Sequence, residues 1–352
     1  GHFEHAIRSY QIFLQKEPRY ATAYYNLGLI FQTLDRTLEA IQLYQQAIEL
    51  DPRDPRPHNN LGILLFENGY LEKSLYHYQM AQHIQPLFHE VYNNLGRYFH
   101  VLGQNNLAIE YFQKSLQIAP HQLKAWTHLL FSIQYDENQT PDSIYQTHTQ
   151  WGEFLTHHYP RKYNTYVEVK SSEHRLRVAY LSPDFHTHSA SYLLDTLLRE
   201  ANHDIFEIIC YSDALQTDSQ TEEFKQLADE WSEVRSLTDA ALAEKIYRDR
   251  IDILVDPGSG YADKQRNIVF AYQPAPLQAT FYLTSTGIKT IQYRFTDPFL
   301  DPISKSHLSS EKQLYLPEGL WSFFRFSDVP TYTPAPSINK GIITFASFNA
   351  PS

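Results

Sequence analysis

The chain has 352 residues, 42% of them hydrophobic, which suits two or three domains with buried cores and is too apolar for a disordered polymer. With 29 basic against 40 acidic residues the formal net charge is -11, the wrong sign for a protein that holds nucleic acid by neutralising phosphates. A single cysteine, Cys210, excludes an intrachain disulfide, and its apolar setting FEIICY reads as a buried core thiol. One cysteine fits a reducing, cytoplasmic setting, which is the expectation, and no run approaches the roughly 20 apolar residues of a membrane span, so no membrane role is read. The start, GHFEHAIRSY, carries neither a signal pattern nor a Met, and the last residues lie in a strand-like run; both lead us to expect a fragment.

Along residues 1–121, Pro18, Pro52, Pro86 and Pro120 recur at an interval of 34, each closing an apolar segment. Aligned on them, YNLG (25–28), NNLG (59–62) and NNLG (93–96) superpose, as do Ala6, Ala40, Ser74 and Ala108, and the aromatics Tyr10, Tyr44, Tyr78 and Phe112. Leu and Gly on a first helix let a second approach closely, a small residue on the second receives the first, and Pro ends the pair because it cannot continue a helix. This is the pattern of tetratricopeptide repeats, which stack into a superhelix with a concave binding surface. Asn26, Asn60 and Asn94 occupy one place in three successive first helices. Their carboxamides suit the backbone of an extended acceptor peptide, the alternative being that Asn is a common polar residue there. A fourth unit begins at Trp126 and loses the pattern by YDENQTPDS. The helix after Thr140-Pro141 is expected to cap the array, with residues 122–170 as a degenerate repeat and linker.

From residue 171 the class changes. RLRVAYLS reads as a buried parallel strand, SASYLLDTLLREAN as a one-faced helix and FEIICYSD as a strand. Helices are expected around TEEFKQLADEW and DAALAEKIYRDR, then the strand IDILVDPGSG. A helix ending before Pro274 leads into another strand, and IQYRFTDP and KQLYLPEG are short strands. Alternating strand and helix predict a parallel sheet, with ligands gathered at the carboxyl ends of its strands. His186 and His188 lie at one such end, and 256–261 at another.

These segments, from SPDFHTHSASYLLDTLL through IDILVDPGSG, QPAPLQATFY and QYRFTDPFLDP to GIITFASFN, resemble in order and spacing the O-linked N-acetylglucosamine transferases and their SPINDLY relatives. The array and the joining segment match as well. The resemblance implies an all-α superhelix followed by an α/β Rossmann-like half of a two-half glycosyltransferase at 171–352, the other half being absent. It further implies transfer of N-acetylglucosamine from UDP to Ser or Thr of acceptor proteins, with no cofactor beyond that nucleotide-sugar donor. In the family pattern a histidine stands four residues after the Asp of the strand end, which is His188 here. An imidazole there can accept a proton or bond a reacting sugar. His186 has no counterpart and is read as solvated; Asp184 is read as capping the turn. No metal is implied, because His and Asp do not cluster at ligand spacing.

Two departures concern the cleft, where Gly260, Tyr261 and Thr286 are the candidate lining residues. Pro257 to Tyr261 replaces the Gly-His-Thr of bacterial relatives. Tyr282 to Gly287 replaces a glycine-rich turn and is about two residues shorter. Three readings stand: a protein O-glycosyltransferase as part of a longer parent, a non-catalytic partner-binding array carrying a degenerate half domain, or a SPINDLY-like enzyme using GDP-fucose. Isolated catalysis by this chain is not expected.

Overall fold

The computed structural model describes residues 2–163, 175–258, 266–317 and 319–320. The chain divides between Asn138 and Gln139 into two compact units. The first holds α1 (His2–Lys16), α2 (Ala21–Thr33), α3 (Thr37–Leu50), α4 (Pro55–Glu67), α5 (Leu71–Ile84), α6 (His89–Val101), α7 (Asn105–Ile118) and α8 (Leu123–Ser132), closed by a 3-10 turn at Ile133–Tyr135.

The repeat glycines are there because an aromatic ring occupies their Cβ space. A methyl on Gly28 would lie 2.7 Å from the Tyr44 ring, on Gly62 2.6 Å from Tyr78, and on Gly96 2.4 Å from Phe112. Those three rings are buried. A second 34-residue register emerges from the structure. Tyr24, Tyr92 and Trp126 each hydrogen-bond the carbonyl of the repeat proline six residues earlier, at 3.2, 2.9 and 3.1 Å, satisfying a main-chain acceptor in the turn between helices. His58 holds the same register in its repeat but meets His77 instead, Nδ1 to Nδ1 at 3.0 Å.

The second unit opens with α9 (Pro141–His158), started by Pro141 and a Thr140–Ser143 capping box. Expected as the cap of the array, this helix belongs to the second unit, where Gly152 lies against the backbone of Gly287. The remaining elements are β1 (Leu176–Ser182), α10 (Ser191–Arg199), β2 (Phe206–Ser212), α11 (Ser219–Leu227), β3 (Glu230–Glu233), α12 (Asp239–Arg248) and β4 (Ile253–Asp256). They are followed by α13 (Asn267–Tyr272), β5 (Leu277–Thr280), β6 (Tyr293–Thr296) and β7 (Lys312–Tyr315).

All strands pair in parallel, in the order β3-β2-β1-β4-β5-β6-β7. Tyr180, Cys210, Leu194, Leu198, Phe185 and Phe224 form the core between β1, β2 and the helices over them, so the cysteine is the buried thiol expected. One expectation is corrected. The helix read through TEEFKQLADEW stops at Leu227, and Glu230–Glu233 is the edge strand. Its four residues, Trp231 the one apolar among them, are too few to show strand periodicity; pairing with Ile209–Ser212 makes it a strand.

Candidate active site

The strand order reverses between β1 and β4: β2 and β3 extend one way, β5 to β7 the other. Loops leaving the carboxyl ends of strands on either side of such a reversal diverge, which opens a crevice there. The β1 side of that crevice carries Asp184, His186 and His188.

This loop is tied down almost residue by residue. Ser182 Oγ accepts the Asp184 amide at 3.0 Å. Phe185 is buried, edge-on to Phe224 and Trp231. Its carbonyl accepts the Thr221 hydroxyl at 2.8 Å, and the Thr187 amide donates to Asp218 Oδ2 at 2.9 Å. Ser191 Oγ returns a bond to the His188 carbonyl at 2.7 Å. From this anchored backbone the His188 ring projects with its side chain 48% exposed. Its Nδ1 accepts the Ala190 amide at 3.2 Å, which places the neutral ring's proton on Nε2. Asp184 Oδ1 stands 3.7 Å from the same Nδ1, so the buried Asp184 faces the imidazole rather than only capping the turn. His186, read as solvated, is half-buried: its ring stacks on His188 at 5.7 Å, and its Nδ1 is buried without a hydrogen-bond partner among the described residues.

Across the reversal, Asp256 ends β4 beside Thr280 of β5. Its carboxylate accepts the Gly258 amide at 3.0 Å and the Thr280 hydroxyl at 3.2 Å. Gly258 has φ +79°, and a Cβ there would lie 2.8 Å from the Phe281 carbonyl oxygen. Gly260 and Tyr261 lie outside the described residues. Further along the carboxyl edge, Asp213 is fully buried and paired with Arg266 at 2.8 Å, and Arg266 also reaches Asp239 at 2.8 Å. That cation anchors the start of α13 to the end of β2 and the start of α12.

The turn at Tyr282–Gly287 is organised by a distant carboxylate. Glu311, buried just before β7, accepts the Ser285 hydroxyl at 2.9 Å, the Thr286 amide at 2.8 Å and the Thr286 hydroxyl. Thr286 is only 7% exposed. Hydroxyls bound to one charge thus hold a path that glycines would otherwise supply, with Gly287 alone in the left-handed region at φ +74°. Nothing local marks Glu311 as their partner, because the contact spans 25 residues. The Asp218-x-x-Thr221 capping box, by contrast, is a readable helix start whose link to the β1 loop only the fold reveals.

In the array, the three asparagines at one sequence position have different surroundings. Asn94 is 7% exposed and donates to Asn59 Oδ1 at 2.8 Å. Asn59 in turn donates to Asn60 Oδ1 at 3.1 Å, and Asn60 reaches the Tyr44 hydroxyl at 3.5 Å. Asn26 is half-buried, and no described residue hydrogen-bonds its side chain. Asn59, unremarked in the repeat alignment, is the linking residue.

Comparison with known proteins adds three findings. The profile of glycosyl transferase family 41 matches residues 150–326, and tetratricopeptide repeat profiles match 37–69 and 89–122. The chain is 31% identical over 247 residues to a probable UDP-N-acetylglucosamine–peptide N-acetylglucosaminyltransferase SPINDLY of Oryza sativa subsp. japonica, covering 68% of this chain and 26% of that protein. It is 35% identical over 148 residues to the probable enzyme SEC of Arabidopsis thaliana, covering 41% of this chain and 15% of that one. Among solved structures, a mutant of the Thermobaculum terrenum O-GlcNAc transferase superposes with a TM-score of 0.72 at 25% identity, covering 90% of this chain and 61% of that one. The chain therefore spans about a quarter of the length of the SPINDLY proteins it matches.

Proposed function

Because the chain belongs to glycosyl transferase family 41, we propose that it serves a protein O-glycosyltransferase that moves N-acetylglucosamine from UDP onto Ser or Thr of acceptor proteins held by the repeat array. The observation that carries this reading is the place of His188: exposed, backbone-anchored, and beside the strand-order reversal of a parallel sheet. In transfer, the acceptor oxygen bonds the anomeric carbon, the carbon–phosphate oxygen bond breaks with its electron pair leaving on UDP, and the hydroxyl proton needs a base.

His188 supports two roles through one nitrogen. With Nδ1 on the Ala190 amide, Nε2–H donates to a sugar or acceptor oxygen. With Nδ1–H turned to Asp184, Nε2 offers a lone pair to the hydroxyl proton, and the carboxylate steadies the imidazolium. On the array, Asn26 is the carboxamide we assign to peptide backbone, that of Asn94 being engaged by Asn59 and that of Asn60 by Asn59 and Tyr44. The cleft role of Thr286 is narrowed to shaping the turn, since its hydroxyl is held by Glu311. Radiolabelled UDP-N-acetylglucosamine with a Ser/Thr peptide, wild type against His188→Ala, tests the assignment; undiminished transfer removes His188 from the chemistry.

One observation favours the scaffold reading as the alternative. The turn at 282–287 is closed around Glu311 instead of presenting glycine amides to a donor. Titration with UDP-N-acetylglucosamine separates the two readings, because a scaffold has no saturable donor site.

A further inference from the structure

We propose that Asp218, at the start of α11, is a positioning residue that sets the His188 imidazole through the backbone of its loop. The inference rests on the catalytic reading of His188 given above. One carboxylate serves two elements. Asp218 Oδ1 accepts the Thr221 amide at 3.1 Å, capping the helix, while Oδ2 accepts the Thr187 amide at 2.9 Å. Thr221, inside the same cap, sends its hydroxyl to the Phe185 carbonyl at 2.8 Å. The backbone on the amino side of His188 is thus held at 185 and 187 by one helix terminus, and on the carboxyl side by Ser191 Oγ at 2.7 Å from the His188 carbonyl. Few torsions remain for the imidazole beyond its own side-chain angles, and its Nδ1 bond to Ala190 selects among those. The carboxylate is held ionised: the Thr187 hydroxyl and amide lower its pKa well below the usual range.

The cap and the clamp can be separated. Serine caps helices about as well as aspartate, but it offers a single short oxygen and cannot serve Thr187 as well. Asp218→Ser therefore keeps the helix and releases the loop, whereas Asp218→Ala removes both. The first readout needs no substrate. In the 352-residue chain, the Thr187 amide is expected to lose hydrogen-exchange protection in Asp218→Ser, and the 15N shifts of the His188 ring, assigned with His188→Ala, are expected to move toward tautomer averaging. The second readout is transfer from UDP-N-acetylglucosamine to a Ser/Thr peptide by the full-length protein. There kcat is expected to fall about tenfold to a hundredfold, with the donor KM within about twofold, as for a displaced catalytic group. Asp218→Ser should then resemble Asp218→Ala in kcat while resembling wild type in melting temperature. A protected Thr187 amide in Asp218→Ser overturns the proposal. So does unchanged kcat in Asp218→Ser when His188→Ala abolishes transfer. Undiminished transfer in His188→Ala overturns the underlying reading, and the proposal with it.

Discussion

Gly152→Ala in α9 is a substitution whose sign the structure reverses. At an open helix position, replacing glycine by alanine stabilises by about 1 kcal/mol, because alanine has less backbone freedom to lose. At Gly152 the added Cβ would stand 1.7 Å from the Gly287 carbonyl oxygen and 2.4 Å from its carbon. Ordinary contact begins near 3.4 Å, so helix and turn must part by about 1.5 Å or more, set by the van der Waals separation of such atoms. Both colliding atoms are backbone, so no rotamer change relieves them. Retreat of the turn is resisted by the Thr286 amide and hydroxyl on Glu311.

Overpacking of this kind costs about 1–3 kcal/mol even where side chains can yield, and here it outweighs the propensity gain. We expect a net loss of about 2 kcal/mol, or about 4–8 °C in the melting temperature of a unit this size. Calorimetry of the second unit's transition, followed in parallel by Trp151 fluorescence, measures it. A variant melting at or above wild type would refute the account of this crossing.

His148 is buried, and burial holds its pKa down at about 4 against 6.5 for a free imidazole. The unfolded state therefore binds more protons between those values, so the contribution is complete above pH 6.5 and is lost as pH falls toward 4. The fall amounts to about 3 kcal/mol; urea midpoints from pH 7 to pH 4.5 should decline more steeply in wild type than in His148→Gln. Arg266→Met leaves the buried Asp213 carboxylate uncompensated and should cost about 3–5 kcal/mol in denaturant titration, part of it recovered by adding Asp213→Leu. Asn59→Ala strands the Asn94 amide and should lower the stability of the array by about 1–2 kcal/mol, while Asn26→Ala should leave its melting curve in place.

The parts of this protein legible in its residues are those encoded by repetition or by continuous apolar runs. The 34-residue spacing of the prolines places every helix pair of the array, because each repeat makes the same local contacts as its neighbours and Gly28, Gly62 and Gly96 meet the expected rings. The runs at 176–182, 206–212 and 253–256 announce central strands, since a strand covered on both faces must be apolar throughout. Edge strand β3 escapes this reading because Trp231 alone of its four residues is apolar, leaving no run or alternation to read, and main-chain pairing defines it.

His188 was visible through motif order. Its environment was not: Asp184 reaches its Nδ1 only through the path of the loop, and Asp218, from another helix, reaches the preceding residue's amide only when β1 and β2 lie side by side. The same holds for Glu311, which collects Ser285 and Thr286, and for Asn59, which joins asparagines of adjacent repeats. Composition, period and strand pattern are sums over neighbours in the chain, so the two architectures and the loop that carries the imidazole can be read from residue order. Which donor meets which acceptor across 25 or more residues depends on how the elements pack, and packing is a property of the folded chain that no local pattern carries.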